Sequence, residues 1–307
     1  MKIISKIINV LDNIITFIII ILFICAITFA GYAIYDTYYI YNNAELGQEI
    51  LKLKPNRENG FTISGLQQIN PDICGWITIN NTNIDYPIVI GKDNFEYLNK
   101  DYKKDFAATG SIFLDYRSDR DFNDNYSVIY GHNMNASKMF SDLKKFGNKS
   151  YFEKNQFGVL YTSLCVYDIN ILCYKKVNAF CETTYNIKTY KNDRNMELVS
   201  FFEKDAINKN DIEVSAEDKL ITLSTCDTSG GNDRSILVAK LTKSELSGKI
   251  DSNQNTKEET KKENKSIIQK IDVKKFLKNI VIIFIIIIFI ILLVKRKLKN
   301  TKKNSKK

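Results

Sequence analysis

Three side chains in this sequence have the types needed for a nucleophilic centre: Cys226, His132 and Arg234. Cys226 closes an alternating run, Leu220-Ile-Thr-Leu-Ser-Thr-Cys, and opens a loop of Asp, Thr, Ser, Gly and Asn, where a rigid scaffold can present a reactive group. A thiol of ordinary pKa, about 8.5, is mostly protonated at neutral pH and becomes a nucleophile beside a base or cation. His132 is the single histidine among 307 residues, so any imidazole chemistry must use it. It follows its own apolar run, Val128-Ile-Tyr-Gly-His, with Gly131 expected to supply an unusual backbone conformation. Arg234 begins the run after the Cys226 loop, where its guanidinium would offer fixed donors to a developing oxyanion. Losing one such donor typically costs about 10² to 10³ in rate. Spacing alone also fits a blander arrangement: a buried strand-end thiol, a surface histidine and a salt-bridged arginine.

The other cysteines read differently. Cys25 lies in an apolar block, and Cys74 beside Gly75 and Trp76 reads as core. Cys165, Cys173 and Cys181 sit in apolar strand context, where a free thiol behaves as a small hydrophobe, and their spacing leaves a disulfide open. One histidine nearly excludes His-based zinc sites, and nothing in the sequence calls for a metal or cofactor.

The elements that must hold these residues are short β-branched and aromatic runs separated by Asn, Asp and Gly turns. Runs at 73–79, 84–90, 110–116 and 126–132 are followed by a hairpin, 158–166 with 169–181, turning at Asp168. Asp193 to Ala206 has the apolar spacing of a helix, and 219–224 and 236–241 add two more strands. That makes about eight strands with a helix between the sixth and seventh, a mainly β chain of the barrel or sandwich type. If neighbouring strands run antiparallel, the start of one lies beside the end of the other, and Cys226 and Arg234 face one cleft.

The formal charge of +9 is not spread along the chain. Eight basic residues and no acid lie between Lys295 and Lys307, which leaves 36 basic against 35 acidic elsewhere. That distribution gives no basic face for nucleic acid and fits a membrane stop, because an apolar block, Ile280 to Val294, precedes the tail. Asn13 to Tyr35 is a second uncharged block, 23 residues long and able to cross a core of about 30 Å as a helix. It is too long for a signal-peptide core, and Ala30 and Ala33 are wrongly spaced for cleavage. Lys/Arg bias puts both termini in the cytosol and the domain outside the cell membrane. The expected order is a cytosolic start (1–12), a transmembrane helix (13–35), a helical extension (36–69), a catalytic β-barrel (70–246), a polar stalk (247–273), a second span (274–294) and a basic cytosolic tail (295–307).

Tyr130-Gly-His-Asn-Met134 with Met139-Phe140, Thr222-Leu-Ser-Thr-Cys226 and Arg234 resemble the signature of a sortase, a cell-wall transpeptidase of Gram-positive bacteria. Asn70-Pro-Asp-Ile-Cys-Gly-Trp-Ile, Asn83-Ile-Asp-Tyr-Pro-Ile-Val and Gly110-Ser-Ile-Phe-Leu-Asp-Tyr are similar to class B members, and the likeness runs from about Leu46 to Thr242. The resemblance implies an eight-stranded sortase barrel in which Cys226 attacks the carbonyl of a Thr in a sorting pentapeptide. His132 would protonate the leaving amine and Arg234 would stabilise the oxyanion. A peptidoglycan amine would then take the acyl group, with His132 as base. Ser224 and Thr225 match positions that orient the bound peptide, and Asn94 and Leu98 match positions lining the groove. The segment from Thr183 to Ala216 is expected to form the other wall. The implied partners are secreted surface proteins bearing a C-terminal sorting signal, a peptidoglycan precursor or stem-peptide amine, and membrane lipid. Two departures stand out: class B enzymes usually carry only the N-terminal anchor, and no class C lid segment is present. A pilin polymerase using a Lys acceptor, a secreted cysteine peptidase hydrolysing its thioester, and a non-catalytic wall-binding protein are the competing readings.

Overall fold

The computed structural model describes residues 2–43, 46–56, 60–134, 137–187, 195–227 and 231–245. The stalk, the second apolar block and the basic tail therefore lie outside the described residues. The N-terminal block is a helix, α1 (Lys2–Asn43). Its Ile3–Tyr38 portion is long and apolar enough to cross a membrane. The helix continues to Asn43, into the extension expected from residue 36, and a separate short helix, α2 (Gln48–Lys52), follows.

The barrel belongs to the unit Ile40–Thr256. After α2 and α3 (Ser64–Ile69) come β1 (Ile73–Ile79), β2 (Asp85–Ile90), β3 (Ile112–Leu114) and β4 (Tyr126–Tyr130). A 3-10 helix (Ser141–Gly147) and α4 (Lys149–Lys154) lead to β5 (Phe157–Thr162) and β6 (Val166–Asn178). Then follow α5 (Glu182–Tyr185), α6 (Asn195–Glu203), the two-residue β7 (Asn208–Lys209), β8 (Lys219–Cys226) and β9 (Asp233–Lys243). The sheet order β5-β1-β2-β3-β4-β8-β9-β6 closes through β5–β6 into an eight-stranded barrel, with β7 paired only to the outside of β6. Helices α5 and α6 occupy the expected place between the sixth and the penultimate barrel strand.

Both faces of β1, β3, β4 and β8 are covered, which is why they read as nearly continuous apolar runs, whereas β5 alternates and β6 turns Asp168 to solvent. Ile77, Ile129, Leu160, Ile169, Ile221, Leu223 and Leu237 fill the interior together with Leu143 and Phe146 from the 3-10 helix and Phe140 just before it. Leu198 and Phe202 of α6 pack on Val128, Leu172, Ile236 and Val238 from the outside. A third cluster joins Ile50 and Leu66 of the N-terminal helices to Trp76, Val89 and Phe113.

Three local expectations are corrected. The β5–β6 turn falls at 162–165, where Thr162 N–H donates to the Cys165 carbonyl at 3.0 Å. Asp168 instead sits within β6, paired with Val159, because its carboxylate points to solvent from a strand position. The run at 110–116 keeps only three residues of strand, after which Asp115 N–H still donates to the Val128 carbonyl of β4 at 2.9 Å while its carboxylate takes up side-chain partners. All six cysteines are free. Burial pushes the Cys74 and Cys173 thiols up to about 12.

Leu223 is fully buried in the interior, on the same strand as Cys226. Leu223→Ala should cost about 2–5 kcal/mol in chemical denaturation, the range for truncating a core leucine.

Candidate active site

The site is built where three neighbouring strands meet at one edge. β4 and β8 run parallel, with Tyr130 opposite Ser224, so their C-terminal ends emerge side by side. β9 returns antiparallel with Arg234 directly opposite Cys226. The strand neighbours Cys226 and Arg234 are thus adjacent as expected, and His132 joins them from the parallel side.

Anchors on both flanks of His132 hold it against β8. On one side, Gly131 N–H donates to the Ser224 carbonyl at 3.1 Å and the Thr225 hydroxyl donates to the Gly131 carbonyl at 2.7 Å. On the other, Asn133 Nδ2 donates to the carbonyl of Cys226 at 2.9 Å. Gly131 itself has an ordinary backbone, contrary to the expectation from its type. Glycine is required there for space: a Cβ would lie 2.6 Å from the Phe140 ring and closer still to Ile112. Gly110 serves the wall in a different way. With φ at 60°, it turns the chain against the carbonyls of Tyr97 and Leu98.

Asp227, next to the thiol, turns inward and pairs with Lys176 at 2.6 Å. The Cys226 side chain, one residue earlier on an alternating strand, is exposed. His132 is also open to solvent. The protein around its ring still withdraws enough water to lower its pKa below the ordinary 6.5, favouring the neutral imidazole.

All seven residues expected at the site, Asn94, Leu98, His132, Ser224, Thr225, Cys226 and Arg234, line one open groove of about 320 Å³. Two of them have their hydroxyls engaged within the protein: Thr225 with Gly131, and Ser224 with the hydroxyl of Tyr185 at 2.9 Å. Phe113, Tyr130, Ala179 and Tyr185 also line the groove. Among the described residues, the segment 183–216 reaches the groove only through Tyr185. Its α6 portion packs on the barrel instead. Tyr185 sits close enough to the thiol and guanidinium for both to act on it. Burial, more than either charge, pushes its hydroxyl up to about 12, so it remains a neutral donor. No periodicity or motif in the sequence marks Tyr185, whereas Tyr130 is flagged by its place in Tyr-Gly-His.

Residues 77–242, more than half of the chain, match the profile of the sortase domain. The chain belongs to the sortase family. Its relatives place it in class B. It is 36% identical to Sortase B of Listeria monocytogenes over 176 residues, covering 56% of this chain and 70% of that protein. A Streptococcus pyogenes class B sortase involved in pilus biogenesis superposes with a TM-score of 0.55 at 32% identity, over 60% of this chain and 99% of that one. The Staphylococcus aureus sortase B–substrate complex gives a TM-score of 0.53 at 28% identity, over 58% of this chain and 83% of that one. As a sortase, the chain is a cysteine transpeptidase with a barrel of the family type.

Gly131→Ala in this sortase should push the Phe140 ring or the His132 backbone aside. The expected result is a loss of transpeptidation of at least about tenfold with the barrel still folded, read by kinetics beside circular dichroism, since overpacking costs about 1–3 kcal/mol.

Proposed function

We propose that this sortase cleaves a sorting-signal pentapeptide after its Thr and transfers the acyl group to an amine of peptidoglycan. The observation that carries the reading is the meeting of an exposed thiol, the chain's one imidazole and a guanidinium on a single open groove. Cys226 Sγ, as thiolate, adds to the Thr carbonyl carbon, and the Arg234 guanidinium donates to the oxyanion that forms. The C–N bond then breaks as His132 gives its proton to the departing amine, leaving a thioester. An acceptor amine attacks that thioester, His132 takes its proton, and the Cys226 thiolate departs. Asn94, Leu98, Ser224 and Thr225 support this by lining the same open groove as the three reactive side chains.

Residues 13–35 serve as a membrane anchor and 70–246 as the catalytic domain on the outer face, with 247–273 as stalk, 274–294 as second span and both termini in the cytosol. The likeness to the pilus-biogenesis enzyme of Streptococcus pyogenes favours one alternative acceptor, a pilin lysine. Incubating the acyl-enzyme with a cell-wall amine or with pilin distinguishes the two.

Mass spectrometry of the chain with a sorting peptide should show an acyl adduct that disappears in Cys226→Ala. An adduct persisting in that variant would sink the proposal. Arg234→Lys should slow acylation by about 10² to 10³, because one ammonium cannot reproduce the fork of donors.

The pH dependence of kcat/KM should be a bell whose limbs belong to the Cys226–His132 pair. Burial favours neutral His132, so the acid limb should fall below pH 6.5, with activity lost as the pH drops through it. An acid limb above 6.5, or a flat profile between pH 5 and 10, counts against the assignment.

A further inference from the structure

Behind the groove, where neither residue lines it, lies an ion pair between Asp115 and Arg117. Asp115 is fully buried. Its carboxylate accepts from Arg117 Nε and Nη2, both at 2.8 Å, and from the Arg117 N–H at 3.0 Å. Asn94 Nδ2 also donates to it at 2.8 Å, and the Tyr130 hydroxyl at 3.0 Å. Arg117 Nη2 reaches further, to the carbonyl of Tyr185 at 2.7 Å, at the last residue of α5. Asn94, Tyr130 and Tyr185 all line the groove. Three segments that are distant in sequence thus converge on one pair of charges.

We propose that Asp115 and Arg117 form a clamp that sets the width of the groove, making them positioning residues for peptide specificity rather than catalytic ones. The inference rests on the peptide-binding reading of the groove. The chemistry suits the task, because a planar guanidinium can bond a carboxylate through two donors and a helix-end carbonyl through a third. Burial raises the Asp115 pKa, but the Arg117 and Asn94 hydrogen bonds outweigh it and hold the carboxyl below its ordinary value. The Tyr126 hydroxyl holds the neighbouring Thr184 carbonyl at 2.9 Å, so losing Arg117 should tilt α5 rather than release it. Tyr185 would carry that tilt into the groove and through its hydroxyl bond to Ser224.

Arg117→Lys in the full-length protein keeps the charge opposite Asp115 and removes the fork. For cleavage of a sorting peptide, KM should rise by about tenfold with kcat within about threefold, the loss expected for one or two buried hydrogen bonds. Alkylation of Cys226 by iodoacetamide, which needs no groove walls, should stay within about twofold of wild type, and hydrogen exchange at the 184–186 amides should accelerate by about tenfold. Tyr130→Phe, which keeps the ring and removes only the donor to Asp115, should raise KM in the same direction and serves if the lysine variant does not fold. A folded variant with unchanged KM, or one whose turnover and alkylation fall together, overturns the clamp. If the wild type cleaves no sorting peptide, the transpeptidase reading fails, and exchange at 184–186 alone decides the clamp: acceleration supports it and no change removes it.

Discussion

The parallel pairing of β4 with β8 is the constraint on which the site depends. Parallel neighbours deliver their C-terminal ends to the same edge, so the segment Gly131 to Asn133 that follows β4 and the end of β8 meet without a loop having to bridge the barrel. The antiparallel return of β9 then brings a guanidinium to that edge. Because the connection from β4 to β8, residues 131–218, spans about half of the domain, the thiol and the imidazole become neighbours only once the barrel has closed.

At that edge the backbone itself does the fine positioning. The amide and carbonyl of Gly131 are committed to β8, and the Asn133 side chain ties the next segment to the carbonyl of Cys226. The His132 side chain is left between two fixed points, which suits the proton-moving role proposed for it. The hydroxyl of Thr225 is spent on this scaffold, so in the proposed peptide site it acts through placement more than through direct donation.

Much of this was legible in the sequence. Cys226 and Arg234 announce themselves at the ends of two β-branched runs, and His132 by being the only imidazole. The strand runs are visible because both faces are buried and therefore apolar. What was hidden depends on distance along the chain. Arg117 and Tyr185 are 68 positions apart, and no local pattern records their bond. The parallel ladder leaves no periodicity that an antiparallel one lacks. Asp168 misled because aspartate favours turns, yet here it is the solvent-facing member of a strand. Gly131 was read for conformational freedom, whereas its neighbours Ile112 and Phe140 show that volume is what matters.

Strands covered on both sides leave the barrel little room to absorb substitutions, since a change on either face disturbs a packed layer. The stretches carrying Asn94, Leu98 and Ala179 lie outside the ladder, with Tyr97 and Tyr102 of the first packed into the apolar cluster of Trp76, Val89 and Phe113. Evolution of a new peptide preference could therefore proceed by exchanging these rim loops while the thermodynamic core, and with it the reactive edge, is inherited intact.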